Sequence, residues 1–208
     1  MSNTIRKNFS VIFLSLILSI FSFSAFAKGK LTLYCSVEID VCEILVQAFE
    51  KETGINVAMT RKSSGETFAQ IKAEGSNPKG DVWFGGTGDP HLTASQEGLT
   101  QEYKSKHFDD LLPAAQQQAI NGNYRTVGIY VGALGYGYNH ELIASKGMPE
   151  PTSWEDLTNP VYKGEIQVAN PNSSGTAYTT LATILQIFGE EKGWDYMKKL
   201  HQNINQYT

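Results

Sequence analysis

Apolar residues recur along this chain with two different periods. Leu31-Thr32-Leu33-Tyr34 is a short β-prone run, and after it Val41, Ile44, Leu45, Ala48 and Phe49 fall at the i, i+3, i+4, i+7, i+8 spacing of one helix face. Asp40 is the expected N-cap and Gly54 the expected stop. Ile55 to Met59 alternates as a second strand, and Ser63-Ser64-Gly65-Glu66-Thr67 opens a helix through Phe68, Ile71 and Ala73. A third strand, Asp81 to Phe84, leads through a glycine-rich turn to a helix over Pro90 to Glu97. The β-α-β-α-β-α order with short connections predicts an open parallel sheet covered by helices.

The pattern changes after Gly98. Leu111 to Ile120 reads as a helix, and Tyr124 to Asn139 as a long β-prone stretch broken by four glycines, each a candidate bulge or close approach. This stretch is expected to cross as a strand from a first lobe, residues 28–138, to a second, residues 139–208. In the second lobe a small helix is expected over Ser153 to Leu157, a strand over Lys163 to Val168, and helices over Ala177 to Phe188 and Glu190 to Leu200.

The first 27 residues have the form of a cleaved signal peptide. Arg6 and Lys7 precede an apolar run from Val11 to Phe23, and Ala25-Phe26-Ala27 is a small-x-small cleavage site. The run is short for a span of roughly 20 residues, so an exported protein with no membrane insertion after cleavage is expected. Cys35 and Cys42 would then meet an oxidising compartment and read as a short-loop disulfide. Two buried thiols are the alternative, because the Cα separation decides whether a bridge can form.

Composition narrows the partners. With 17 basic and 21 acidic residues the formal charge is -4, and no block of like charge stands anywhere, which argues against nucleic acid or an anionic membrane surface. A hydrophobic content of 41% argues against disorder.

In an open α/β sheet, ligands bind where strands end and helices begin. Four polar turns fall there: Ser36, Glu38 and Asp40; Ser63 to Thr67; Gly85 to Asp89; and Asn172 to Thr176. Amides and hydroxyls at a helix start favour an anion. Singly, each turn is an ordinary cap worth about 1 kcal/mol; four on one edge of a two-lobed protein point to a ligand cleft. The candidate residues are Ser36, Glu38, Ser64, Gly65, Glu66, Thr67, Thr87, Asp89, Ser173, Ser174, Gly175, Thr176 and Tyr178. No nucleophile-elbow, zinc-protease or P-loop pattern occurs, and His91, His107, His140 and His201 show no metal spacing, so no enzyme activity, metal or cofactor is expected. His91 reads as an exposed residue of a helix start. An exported hydrolase remains the rival from another class.

At these same positions, Leu33 to Ser36, Phe49 to Ile55, Ser64-Gly65-Glu66, Asp81 to Gly86, and Val168 to Pro171 with Thr176-Ala177-Tyr178 form an ordered set. Together they resemble the periplasmic solute-binding proteins of the ferric-iron-type ABC importers. The resemblance implies two α/β lobes of open mixed sheets with helices on both faces, a monomer that traps a small anionic ligand between them, and delivery to a membrane permease and its ATPase. Complete members are longer, so the second lobe is expected to be incomplete, with Leu181, Ile184 and Leu185 partly uncovered. Ferric members use adjacent tyrosines, and this chain has no Tyr-Tyr pair; Tyr207 with Glu66 is the alternative metal set. Other relatives take phosphorylated sugars or phosphonates, which the serine, threonine and glycine turns suit better.

Overall fold

The computed structural model describes residues 29–208, and the signal-peptide reading of residues 1–27 lies outside the described residues. Strand β1, Lys30–Cys35, pairs in parallel with β2, Asn56–Arg61, and with β3, Val82–Phe84, in the order β2-β1-β3. Cys35 is opposite both Arg61 and Phe84, so the three strands end level with one another. That register brings the turns that follow them onto one edge. The chain steps from β1 to β2 and then back across β1 to β3. Right-handed crossovers therefore put helix α1, Ile39–Thr53, and helix α2, Ser64–Glu74, on opposite faces of the sheet. Helix α3, Gly88–Gln96, follows β3.

Helix α1 departs from its expected orientation. Glu38, not Asp40, occupies the N-cap, and Asp40 sits inside the first turn, where its carboxylate faces the positive helix end. Gly54 stops the helix as expected, with φ of 71°. The face expected to be buried is exposed, Ile44 at 66% and Val41, Leu45 and Phe49 with it. The cause is the Cys35–Cys42 disulfide, whose Cα atoms lie 6.2 Å apart. It turns Cys42, and Val46 one turn on, toward the sheet, where Leu33, Val57, Met59 and Phe84 complete the core.

A 3₁₀ turn at Phe108–Asp110 and helix α4, Pro113–Asn121, come next. The long stretch from Tyr124 to Asn139 is not a strand: no ladder includes it, and Val127, Ile129, Tyr130, Val131 and Tyr138 are exposed. Among the described residues, its β-prone run meets no neighbouring strand with which to exchange hydrogen bonds.

Helix α5, His140–Ser145, follows, capped by the Asn139 side chain accepting from the Leu142 amide at 3.0 Å. A 3₁₀ turn, Glu155–Thr158, stands where a small helix was expected, and a second, Pro160–Tyr162, follows it. Strand β4, Ile166–Val168, pairs in parallel with β5, Ile204–Tyr207, a strand that the hydrophobic pattern does not announce. Between them, helices α6, Gly175–Phe188, and α7, Glu190–Asn203, turn at Gly189. They pack closely because Gly193 has no side chain; a Cβ there would lie 2.8 Å from Leu185 Cδ2. Ile184, expected to be partly uncovered, is fully buried against Tyr196 and Leu200, while Leu181 and Leu185 are half-buried. No helix among the described residues is long and apolar enough to cross a membrane.

Because Ile184 is the largest fully buried side chain of this lobe, Ile184→Ala should lower unfolding stability by about 2 to 5 kcal/mol. Exposed Ile187→Ala should change it by less than about 0.5 kcal/mol. Urea denaturation followed by circular dichroism checks both.

Candidate functional site

Three helix starts meet at the edge where the first-lobe strands end. The Thr87 amide, at the start of α3, donates to Ser64 Oγ at the start of α2, at 3.2 Å. Gly175, the first residue of α6, packs against both: a Cβ there would overlap Thr87 Oγ1 and lie 2.9 Å from Ser64 Oγ. Gly86 makes room for the same hydroxyl, since a Cβ at Gly86 would also overlap Ser64 Oγ. Thr87 Oγ1 is buried at this junction and has no hydrogen-bond partner among the described residues. Three positive helix ends, one serine hydroxyl and one unsatisfied threonine hydroxyl converge there, an arrangement that favours an oxygen-rich anion.

The Gly85-Gly86 turn that aims Thr87 is braced from two sides. Both glycines have positive φ, 76° and 90°, a conformation in which a side chain would be strained. Tyr130, from the extended crossing segment, accepts the Gly86 amide at 2.7 Å and donates to the Gly86 carbonyl at 3.0 Å. His91 is not an exposed helix-start residue. Its ring stacks on Trp83 at 3.6 Å, and its Nε2 is 2.8 Å from the Gly85 carbonyl, which makes that nitrogen the protonated one. Burial holds the His91 pKa below its ordinary value.

Below the junction runs a cleft of about 410 Å³ between the lobes. Helix α2 lines it with Gly65, Phe68, Ala69 and Lys72, helix α3 with Asp89, Pro90 and Thr93, and the second lobe with Pro171, Asn172, Ser174, Gly175 and Tyr178. Lys72 pairs with Glu97 at 2.9 Å and lies over the Phe68 ring. Phe68, Lys72 and Thr93 were not among the expected site residues. The signal for two of them is plain: Phe68 and Lys72 follow Gly65 by three and seven residues, on the same helix face.

Of the expected residues, Ser64, Gly65, Thr87, Asp89, Ser174, Gly175 and Tyr178 are brought together at the junction or along the cleft. The others are placed differently. Thr67 is 1% exposed, and its hydroxyl lies 3.1 Å from Ser36 Oγ, which also accepts the Trp83 indole N–H, so Ser36 and Thr67 form an internal bracket. Glu38 is an exposed N-cap. Glu66 closes a capping box, accepting the Ser63 amide and hydroxyl at 3.0 and 2.8 Å. The Ser63 hydroxyl and then its amide hold the Glu66 carboxyl below its usual range. Ser173 turns its hydroxyl to the Asn170 carbonyl and its own carbonyl to α2, and Thr176 is exposed. Tyr207 is committed to His201, 2.8 Å from its Nδ1, and burial raises its pKa. Cys35 and Cys42 are bridged.

The neutral imidazole of His91 makes the fold sensitive to mild acid. Its ordinary value is 6.5 and its folded value is lower, so below about pH 6.5 the unfolded chain takes up a proton that the folded chain refuses. Stability should fall as pH drops below 6.5 toward the folded value. Urea midpoints at pH 7.5 and 5.0 should therefore differ less in His91→Gln than in the wild type.

A family profile of bacterial extracellular solute-binding proteins matches residues 84–208. An uncharacterised protein of Haemophilus influenzae is 46% identical over 186 residues, covering 89% of this chain and 54% of that one. The solved structure of the periplasmic binding protein AfuA from Actinobacillus pleuropneumoniae, with exogenous fructose-6-phosphate bound, is 44% identical with a TM-score of 0.83, over 88% of this chain and 57% of AfuA. That of the periplasmic binding protein P5PA is 43% identical with the same TM-score, over 86% and 57%. The chain thus spans somewhat more than half the length of these relatives. It belongs to the bacterial extracellular solute-binding protein family and has the α/β fold of the periplasmic binding proteins.

Proposed function

We propose that this protein is the substrate-binding component of an ABC importer, capturing a phosphorylated small solute, a sugar phosphate, between its two lobes in the periplasm. The first lobe ends near residue 138 and the second begins near 139. The loaded protein delivers its solute to a membrane permease driven by an ATPase and performs no chemistry on it. The observation that carries this reading is the meeting of three helix starts at Ser64, Thr87 and Gly175 around the unpartnered Thr87 hydroxyl. AfuA, a relative at 44% identity, is described with fructose-6-phosphate bound.

The residues divide the work by chemistry. The Ser64 and Thr87 hydroxyls at the junction, whose protons are uncommitted, take the phosphate, since neutral donors at positive helix ends suit a dianion. Asp89, Asn172 and Tyr178 along the cleft offer polar groups to sugar hydroxyls, and Phe68 with Tyr178 offers apolar ring faces. A hydrolase would need a base on its serine; the Ser64 hydroxyl accepts the Thr87 amide, and His91 is spent on the Gly85 carbonyl. The ferric alternative calls on Tyr207 and Glu66, whose oxygens already serve His201 and Ser63.

Isothermal calorimetry with fructose 6-phosphate, an alkylphosphonate and ferric citrate tests the proposal. Binding heat is expected from the phosphorylated sugar, weakened about tenfold or more in Ser64→Ala, since one charge-assisted hydrogen bond is worth about 1.5 to 3 kcal/mol. Iron colour on purification, with no heat from either phosphorus compound, would overturn it.

A further inference from the structure

The start of α2 meets the second lobe at one backbone acceptor, the Ser173 carbonyl. Ser63 Oγ donates to the Ser173 carbonyl at 2.6 Å, and the Gly65 amide donates to the same oxygen at 2.9 Å. The approach is possible because residue 65 has no side chain. A Cβ there would lie 2.6 Å from the Ser173 oxygen and 2.7 Å from the Asn172 oxygen, both backbone atoms that no rotamer can move aside. Gly65 is the second residue of α2, a position the helix itself would fill better with alanine. The contact with the second lobe is the feature that asks for glycine there.

The same closed arrangement carries an opposing cost. Thr87 Oγ1 is buried against Gly175 without a partner, and parting the lobes would return it to water. We infer that Gly65 and Thr87 set the balance between open and closed lobes, Gly65 admitting the Ser173 latch and Thr87 opposing closure until a ligand oxygen accepts a hydrogen bond from its hydroxyl. This inference rests on the proposed ligand cleft and adds to it a selection rule. A solute without an acceptor at Thr87 leaves the closed state as costly as it was when empty.

The test reads closure without ligand. Amide exchange at Gly65 reports the latch directly, because that amide donates to Ser173 across the lobes. In the ligand-free protein, Thr87→Val should slow Gly65 exchange on the order of tenfold, since it removes the buried hydroxyl at nearly constant shape. Gly65→Ala should enlarge the radius of gyration in small-angle scattering while leaving the thermal midpoint unchanged or higher, the mark of an opened but folded molecule. A wild-type scattering profile from Gly65→Ala, or unchanged or faster Gly65 exchange in Thr87→Val, would overturn the inference. Addition of fructose 6-phosphate to the wild type should slow Gly65 exchange as Thr87→Val does. If both variants behave as expected and the sugar phosphate has no effect, the gate stands and the sugar-phosphate reading falls.

Discussion

The approach of the Ser173 carbonyl to the start of α2 is the contact that makes one cleft from two lobes. It joins an oxygen of the second lobe to an amide and a hydroxyl of the first, at the end of a helix whose dipole favours negative charge. Each such bond contributes about 1 kcal/mol net, so the pair is strong enough to bias closure and weak enough to break reversibly. A binding protein needs that range, because a ligand can shift a two-state equilibrium only by its differential affinity for the two states.

The latch depends in turn on how the first sheet ends. Cys35, Arg61 and Phe84 share one register position, so the turns after all three strands emerge together. The Ser36 amide donates to the Phe84 carbonyl at 2.9 Å and the Lys62 amide to the Cys35 carbonyl at 3.0 Å, which carries the ladder one residue beyond the strands. The Ser36–Thr67 bracket then ties the first turn to α2, and the Thr87 amide ties the third turn to Ser64. Tyr130 adds a link of another kind. It belongs to the segment running toward the second lobe, yet its hydroxyl makes two hydrogen bonds to Gly86. Any shift of that segment on opening therefore acts on the turn that positions Thr87.

The first lobe was legible in the sequence because its elements are specified locally: the β-prone run at Leu31 to Tyr34, Gly54 as a stop, and the polar Ser63 to Thr67 turn that opens α2. The buried face of α1 was not legible. Ile39, Val41, Cys42, Ile44, Leu45 and Val46 are apolar around most of the helix, so periodicity offers two faces, and only the bridge to Cys35 chooses between them. The stretch from Tyr124 to Asn139 shows the limit of β-propensity, which describes fitness for a sheet and supplies no partner strand. Strand β5 is the converse: Ile204-Asn205-Gln206-Tyr207 has little apolar signal and takes its conformation from β4. Among the site residues, the turns could be read and the roles within them could not. Ser36, Ser64, Thr67 and Thr87 are alike in sequence, and only the packing of helices on the sheet turns Ser36 and Thr67 inward and Ser64 and Thr87 toward the second lobe.

That distribution favours the proposed phosphate over a hard cation by the protonation each requires. A ferric ion is best met by tyrosinate and carboxylate oxygens, groups that must be ionised to bind it. The Tyr207 phenol is pushed the other way, because burial raises its pKa and favours the protonated form. Glu66 is ionised, its carboxyl held low by Ser63, but the donors that hold it low occupy its oxygens and keep them at the helix cap. The junction at Ser64, Thr87 and Gly175 requires neither change. Its Ser64 and Thr87 hydroxyls are donors at any pH where the fold survives, and they are fixed in place by helix starts before a ligand arrives. A preorganised set of neutral donors gains most from an anion that brings several acceptor oxygens at once, which is the chemistry of a phosphate group.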